Sequence, residues 1–236
     1  WERIEKMILP KIEYAYTVSP SIADVYREKY GLKMGLVRNF PLKEQDSPSA
    51  RKQNAVIYQG ALNVGRGLEE LITAFSFPTL LQGVELWIFG TGDIESELIQ
   101  LSRSLNLNEQ ITFFGRKESA ELRTYTQRAA LGVSLEHPLG LSYQYAIPNK
   151  LFDYLQAGTA VLYSPLKEVE ALLDGKKVGE KLRSHEPEKL AEQLRSMLES
   201  EALQSWQHNA FELSAQYCWE NEGKTLLRIV EKALND

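Results

Sequence analysis

Short apolar runs alternate with amphipathic segments along most of this chain of 236 residues. Between the runs, leucine, isoleucine and phenylalanine recur every three or four positions in residues 68–75 and 94–105, the spacing of one buried helix face. Short, nearly continuous apolar runs are typical of strands in a parallel sheet that helices cover on both faces. The pattern therefore predicts an α/β fold with a doubly wound, Rossmann-like parallel sheet, whose ligand crevice lies at the carboxyl ends of the strands.

The expected strands are seven apolar runs, at residues 14–19, 35–39, 55–59, 85–89, 111–114, 131–135 and 160–163. Residues 43–53 are charged and polar and contain Pro48, so they predict a linker. We expect a partial domain and linker at 1–46, a complete domain at 47–200, and terminal helices at 201–236. Because the chain opens with Trp1 inside a predicted helix, we also expect it to be a fragment.

Composition excludes several classes of function. Hydrophobic residues make up 43% of the chain, enough to fill a core. A net charge of −5 argues against a nucleic-acid binder, because phosphate backbones require a concentrated basic surface. No run of about 18 apolar residues occurs, so no segment is predicted to span a bilayer. The single cysteine, Cys218, excludes an internal disulfide and fits a reducing cytoplasm.

Residues 147–158 predict a helix that Pro148 opens and Gly158 ends. The start of such a helix, at Asn149, presents unpaired N–H groups and the positive end of the helix dipole. Lys150 adds a mobile positive charge there, and Asp153 projects from the same side. Ammonium and amide groups suit a diphosphate, and a carboxylate suits the vicinal hydroxyls of a ribose. The alternative is a plain surface helix on which Lys150 and Asp153 form an ion pair.

A second element runs from a predicted strand through Gly60 and Gly65 to Arg66 and into a helix. Glycines let the backbone approach a phosphate without an intervening side chain, and Arg66 would add charge. The alternative is that the glycines only form a turn, while Arg66 pairs with Glu69 or Glu70 on a solvated helix face.

Further candidates lie where other predicted strands end. Gly90 and Gly92 follow one strand, either as a contact to a ligand or as a turn. Gly115 and Arg116 follow the next, and the arginine either meets a nucleobase or faces water. Glu136 ends a third strand, where it either contacts a ligand or is a surface-loop carboxylate, the interpretation that we favour.

The remaining aromatic and histidine residues give weaker indications. Tyr143, Tyr145 and Phe152 either line a sugar pocket or belong to the core or a lid. His185 and His208 lie in polar surroundings without a cluster of cysteines or carboxylates, so we expect surface residues and no metal site.

Taken together, these elements resemble the donor-binding domain of retaining GT-B glycosyltransferases of family 4, the glycosyl transferases group 1. The branch of the family that this chain resembles most has an Asn-Lys-Leu-Phe-(Glu/Asp)-Tyr stretch followed by Ala-Gly, and this motif is present at residues 149–158. The resemblance implies that Arg66 and Lys150 are catalytic cations for the donor diphosphate and that Asp153 binds the ribose. It also implies a donor site formed by Gly60, Gly90, Gly92, Gly115, Arg116, Glu136, Pro148 and Asn149.

The chain departs from the family pattern at two positions. Ala61 stands where one of two cations is expected, and Tyr145 stands where the first of two glutamates is expected. Glu136 would then supply the carboxylate that is missing at Tyr145. These departures keep two alternatives open. One is a nucleotide-binding module that has lost catalysis, and the other is a GT-B epimerase that isomerises a sugar nucleotide without an acceptor.

The resemblance implies a second GT-B domain plus a remnant of the first, to which the terminal helices return. It implies transfer from a UDP- or GDP-linked sugar to a saccharide or lipid-linked saccharide, with retention and without a cofactor or metal. Polysaccharide synthesis at the cell surface is the expected role. The expected location is the cytoplasm, with peripheral contact to the inner face of the membrane as an option. The fragment alone is expected to be inactive as a transferase.

Overall fold

The computed structural model describes residues 1–44 and 51–235. Six parallel strands form the main sheet: β3 Gln53–Gln59, β4 Glu85–Phe89, β5 Ile111–Gly115, β6 Ala129–Ser134, β7 Ala160–Tyr163 and β8 Gly179–Lys181. Their spatial order is β5-β4-β3-β6-β7-β8, which reverses direction between β3 and β6. The predicted doubly wound α/β fold is confirmed, and its ligand crevice is expected beside the strands where the order reverses.

Helices connect and cover these strands. They are α1 Glu2–Ile8, α2 Pro20–Tyr30, α3 Leu68–Ala74, α4 Pro78–Leu81, α5 Glu95–Ser104, α6 Ser119–Arg128, α7 Leu141–Gln144, α8 Lys150–Gln156, α9 Lys167–Leu173, α10 Pro187–Leu198, α11 Leu203–Ser214 and α12 Trp219–Asn235. Among them, no helix of the described ranges combines the length and apolar character that crossing a bilayer requires.

Two short strands, β1 Tyr16–Thr17 and β2 Gly35–Leu36, form a separate parallel pair. Both are shorter than predicted, whereas the bounds of β4 and β7 agree with the prediction. Strand β8 was not predicted, because its residues Gly179, Glu180 and Lys181 have no apolar pattern and lie at the sheet edge. The predicted linker lies partly outside the described residues, and at its other end Gln53 already belongs to β3.

Alternating strand residues supply the two layers of the core. Val56 and Tyr58 on β3 pack into one apolar cluster with α3 and α10, while Ile57 packs into the other with α8 and α11. Both faces of the strand are therefore buried, which explains why its sequence is apolar without alternation.

Helix α8 lies close against the sheet because β6 has a glycine beneath it. A Cβ atom at Gly132 would lie 2.6 Å from the ring of Tyr154. The hydroxyl of Tyr154 accepts a hydrogen bond from the Gln59 N–H at 3.2 Å, and carbonyl oxygens of β3 and β6 lie at the same distance. These contacts fix the position of α8 over the strand ends.

Candidate functional site

Three loops meet at the carboxyl edge of the sheet, after β3, β4 and β5. The N–H of Gly60 donates to the carbonyl of Phe89 at 3.0 Å, and the N–H of Gly90 donates to the carbonyl of Gly115 at 2.8 Å. The structure thus brings together the glycine loops that the sequence analysis singled out separately.

Packing between these loops accounts for two of the glycines. A Cβ atom at Gly90 would lie 1.8 Å from the carbonyl oxygen of Gly60, and one at Gly92 would lie 2.3 Å from that of Leu62. Gly90 also has φ +125°, which L side chains rarely adopt. The turn interpretation therefore suffices for Gly90 and Gly92, since neither glycine needs a ligand to explain it.

A buried carboxylate joins two cations beside these loops. The Oε1 atom of Glu136 lies 2.5 Å from the Lys150 ammonium and 3.4 Å from Arg66, while its Oε2 accepts a hydrogen bond from Ser134 at 2.7 Å. Glu136 is 1% exposed and Lys150 is 7% exposed. The side chains come from the end of β6, the start of α8 and the loop before α3, so only the fold assembles them.

Burial and the ion pair act in opposite directions on these groups. Burial by itself raises the pKa of Glu136, but the Lys150 ammonium and the Ser134 hydroxyl bring it below its usual value. Burial lowers the pKa of Lys150, and the Glu136 carboxylate opposes this decrease. Glu136 is therefore the ionised partner that neutralises positive charge in this part of the site.

Three interpretations from sequence are corrected by this cluster. Glu136 is buried and is no surface-loop carboxylate. Arg66 pairs with Glu136 instead of Glu69 or Glu70, and its guanidinium lies 5.3 Å from the ring centre of Tyr143. Lys150 is held in place by Glu136, so it is neither mobile nor paired with Asp153. Sequence spacing indicated neighbours on one helix, whereas tertiary contacts supply the closer partners.

The start of α8 differs from the expectation. The helix begins at Lys150, so Pro148 precedes it by two residues. The N–H groups of Leu151 and Phe152 donate to the carbonyls of Pro148 and Asn149 at 3.1 and 3.0 Å. Two of the amides that were expected to be unpaired are therefore bonded within a tight first turn.

Asp153 lies on the same helix but faces a different neighbourhood. Its Oδ2 atom accepts a hydrogen bond of 2.7 Å from the Nε2 of Gln59. The Asp153 side chain is exposed to solvent and lines a cavity of about 370 Å³. The surrounding protein raises the pKa of Asp153, and the hydrogen bond from Gln59 opposes this rise.

A second cavity, of about 280 Å³, opens beside the glycine loops. Gly60, Gly90 and Arg116 line it, and Leu122 separates it from the cavity at Asp153 because it lines both. Arg116 is exposed to solvent. Gly115 has φ +65° with open space around its Cβ position.

The other candidates divide between site, core and surface. Phe152 is 2% exposed and packs edge-on against Phe40, so it belongs to the core. His185 is half-buried, and the centre of its ring lies 3.8 Å from that of His137, on which it stacks. The surface position expected for His185 is therefore wrong. His208 is exposed. Across the described ranges, no group of three or more histidine, cysteine, aspartate or glutamate residues could hold a metal ion.

Sequence reasoning missed Tyr58, Gln59, Thr126 and Ser134. The Lys150 ammonium lies 4.5 Å from the ring centre of Tyr58, and the Thr126 hydroxyl donates to Gln59 at 2.9 Å. A polar Gln59 at the end of an apolar strand was the available sequence signal, since a buried amide requires a partner.

Comparison with known proteins gives a family and a fold. The family model "Glycosyl transferases group 1" matches residues 39–212. No curated protein matches this sequence.

Similar solved structures share the fold of this chain, at 13–18% identity. The pneumococcal O-GlcNAc transferase GtfA, in complex with UDP and GlcNAc, has 15% identity and a TM-score of 0.81 over 99% of this chain and 47% of its own. Anabaena HepE, in complex with UDP, has 14% identity and a TM-score of 0.77 over 100% of this chain and 67% of its own. Sucrose-phosphate synthase from Thermosynechococcus elongatus has 18% identity and a TM-score of 0.75 over 99% of this chain and 61% of its own.

This chain therefore spans about half to two thirds of the length of these structures. The family match covers most of the described α/β domain, including the strand ends that carry Arg66, Glu136 and Lys150. The chain belongs to the glycosyl transferases group 1 family.

Proposed function

We propose that this chain is the donor-binding part of a glycosyltransferase, which transfers a sugar from a nucleoside diphosphate to an acceptor hydroxyl with retention. The observation that carries the proposal is the convergence of Lys150 and Arg66 on Glu136, beside the glycine loops at the carboxyl edge of the sheet. In an open α/β sheet, this edge is where ligands bind.

The cations have a defined task in this proposal. Breaking the bond between the sugar and the diphosphate builds negative charge on the leaving group, and fixed positive charge stabilises it. Lys150 lies close to the Gly60 loop, since its Nζ would be 3.7 Å from a Cβ atom there. Because two cations share one carboxylate, the cluster keeps one net positive charge for the phosphates.

Asp153 and the second cavity supply the nucleoside contacts of the proposal. The carboxylate of Asp153 would accept hydrogen bonds from the ribose hydroxyls, as charge-assisted bonds stronger than neutral ones. Arg116 would lie near the base, at the cavity that Gly60 and Gly90 also line, together with its neighbour Gly115. Pro148 and Asn149 would border the phosphates at the start of α8.

We propose UDP as the donor nucleotide, with GDP as the alternative, and no metal or cofactor. Two of the structures described above, GtfA and HepE, are complexes with UDP, which supports this choice. Positive side chains would take the place of a metal at the diphosphate. A phosphate oxygen of the donor would accept the acceptor's proton, so that the protein need not supply a base.

The proposed acceptor is a saccharide or a lipid-linked saccharide in cell-surface polysaccharide synthesis. One similar structure, WaaG, is described as a glycosyltransferase involved in lipopolysaccharide biosynthesis, at 17% identity and a TM-score of 0.71 over 90% of this chain and 61% of its own. We place the protein in the cytoplasm, with peripheral contact to the inner membrane face. The proposed division is a first-domain remnant and linker at 1–46, the donor domain at 47–200, and returning helices at 201–236.

The test is calorimetric titration of this chain with UDP, GDP and ADP, each with and without magnesium. We expect one nucleotide to bind equally well in both conditions and to lose most of its affinity in the Asp153→Ala variant. As a matched control, Asp93→Ala changes an exposed aspartate outside both cavities. Binding that requires magnesium, or that Asp153→Ala leaves unchanged, would contradict the proposed site.

The second candidate function is a nucleotide-binding module without catalysis. Glu136 favours this function, because its carboxylate neutralises one of the two positive charges of Lys150 and Arg66. Ala61 adds no further positive charge to the site. Sugar transfer by the full-length protein would exclude this candidate. Release of an isomerised sugar without an acceptor would instead indicate an epimerase.

A further inference from the structure

A chain of hydrogen bonds runs from the protein interior to the carboxylate of Asp153. Gln59, the last residue of β3, is 5% exposed and donates from Nε2 to the Oδ2 of Asp153 at 2.7 Å. Among the described residues, this bond is the only one that reaches the Asp153 carboxylate, and Oδ1 has no protein partner.

Two partners, Asp153 in front and Thr126 behind, hold the Gln59 amide in one orientation. Its Oε1 accepts a hydrogen bond of 2.9 Å from the hydroxyl of Thr126, which is 1% exposed on α6. With the amide reversed, its oxygen would face the carboxylate of Asp153, and two acceptors would oppose each other. The same hydroxyl also lies 3.0 Å from the carbonyl of Leu122, so Gln59 and Leu122 compete for its single proton.

Within residues 1–44 and 51–235, few other charged side chains lie near Asp153. The remaining charged side chains that line its cavity are Glu44 and Arg123, which pair with each other. On α8 itself, Lys150 is paired with Glu136. Gln59 is therefore the group that stabilises the ionised form of Asp153, against the surrounding protein, which raises its pKa.

We propose that Gln59 and Thr126 are positioning residues for the proposed ribose site: Thr126 orients the Gln59 amide, and the amide holds one oxygen of Asp153 so that the other accepts from the ribose. The inference rests on the proposed function. It adds to that function a relay of three elements, β3, α6 and α8, which sets the direction and charge of the ribose-binding group.

The test compares Gln59→Leu, Thr126→Val and Thr126→Ser with the unchanged chain. Each is titrated with the ribonucleoside diphosphate that the unchanged chain binds and with its 2′,3′-dideoxy analogue. Gln59→Leu should weaken ribonucleotide binding about tenfold, because a charge-assisted hydrogen bond that orients the carboxylate is lost. It should weaken binding of the dideoxy analogue much less, whereas a general disturbance of the site would weaken both equally.

Thr126→Val should act in the same direction but less strongly, and Thr126→Ser, which keeps the hydroxyl, should bind as the unchanged chain does. Thr124→Val is the matched control, since the Thr124 hydroxyl is exposed and donates only within its helix, to the Glu121 carbonyl. Equal loss for ribonucleotide and analogue, or identical binding by Thr126→Val and Thr124→Val, would overturn the proposal.

A second measurement does not need a nucleotide. Titration of the Asp153 carboxyl by NMR should give a higher pKa in Gln59→Leu than in the unchanged chain, because the hydrogen bond that lowers it is gone. An unchanged pKa would overturn the relay. If the unchanged chain binds no nucleotide while the pKa shifts as expected, the proposed function fails and the relay itself is supported.

Discussion

At the scale of single residues, the site depends on Glu136, which is shared by two cations. A carboxylate that is 1% exposed is stable only with partners, and Lys150, Arg66 and Ser134 provide them. In the sequence, Ser134 lies 2 residues from Glu136, Lys150 lies 14 residues from it and Arg66 lies 70 residues from it. Their order along the chain gives no measure of the distances between them.

Replacing Glu136 by glutamine should destabilise the fold at neutral pH by about 3 kcal/mol, because Lys150 would stay buried without its carboxylate. Folding lowers the pKa of Glu136, so its stabilising contribution is complete above its ordinary value of 4.5 and is lost as the pH falls below it. Urea unfolding measured from pH 7 to pH 3 should therefore show that the difference in free energy of unfolding between the unchanged chain and Glu136→Gln becomes smaller in acid.

The control for this series is Glu192→Gln, which changes an exposed carboxylate on α10. It should alter the free energy of unfolding by only a few tenths of a kcal/mol. A Glu136→Gln difference that stays constant down to pH 3 would show that the carboxylate is not held as an ion.

The Lys150→Ala variant should weaken nucleoside diphosphate binding by at least about tenfold, since a charged hydrogen bond contributes about 1.5–3 kcal/mol. Calorimetry measures the loss, and Lys167→Ala, which changes an exposed lysine on α9, is the matched control. Unchanged affinity in Lys150→Ala would remove Lys150 from the proposed donor site.

At the scale of elements, close packing between backbones decides where the site residues stand. Helix α8 approaches β6 closely enough that a Cβ atom at Gly132 would overlap the ring of Tyr154. The tyrosine hydroxyl then reaches both β3 and β6. Asp153 and Lys150 are presented at the sheet edge as a result of this contact.

Gly132→Ala should therefore destabilise the protein by about 1–3 kcal/mol, because the added methyl forces Tyr154 and α8 to shift. Nucleotide affinity should fall as well. Gly140→Ala is a suitable control, since Gly140 has extended backbone with φ 176° and nothing within 4 Å of its Cβ position. Denaturant unfolding of the two variants gives the comparison, and equal stability would contradict the close approach.

The glycine loops permit a second comparison, between the stabilities of alanine variants at Gly90 and Gly115. Gly90→Ala should be severely destabilising, because its methyl would lie 1.8 Å from the Gly60 carbonyl oxygen at a φ of +125°. Gly115→Ala meets open space and should cost only the strain of a left-handed backbone, about 1–2 kcal/mol. Thermal unfolding distinguishes the two, and similar losses would show that packing between the loops is unimportant.

At the scale of the whole molecule, the terminal helix contacts the first part of the chain. Glu222 on α12 accepts a hydrogen bond of 2.7 Å from the Arg38 N–H, and the N–H of Trp219 donates to the Pro41 carbonyl at 2.8 Å. Leu227, Val230 and Leu234 on the same helix are exposed. The first residues of α12 are thus bonded to residues 38–41.

We expect this chain to bind a nucleotide without transferring sugar, because it spans about half to two thirds of the length of similar structures. Incubation with a radiolabelled UDP-sugar and candidate saccharide acceptors should yield no glycosylated product, whereas the full-length protein should yield one. Robust transfer by this chain alone would refute the proposed division into domains.

The pattern of apolar residues was enough to predict the class of fold and the strand ends near which binding residues would lie. Apolar runs at residues 85–89 and 160–163 agree with β4 and β7, because buried parallel strands need apolar residues on both faces. The sequence also indicated Gly60, Arg66, Lys150 and Asp153, since glycines and charges at strand ends are local features. A polar edge strand such as β8 has no such local feature, and so the sequence analysis missed it.

The partners of these residues are known only from the folded chain. It paired Lys150 and Arg66 with Glu136, turned Asp153 toward Gln59, and placed Phe152 in the core. The physical reason is that burial removes water from polar groups, and each then takes a hydrogen-bond or charge partner within reach. That partner is set by the distance between elements in space, which spacing along one helix or strand does not contain.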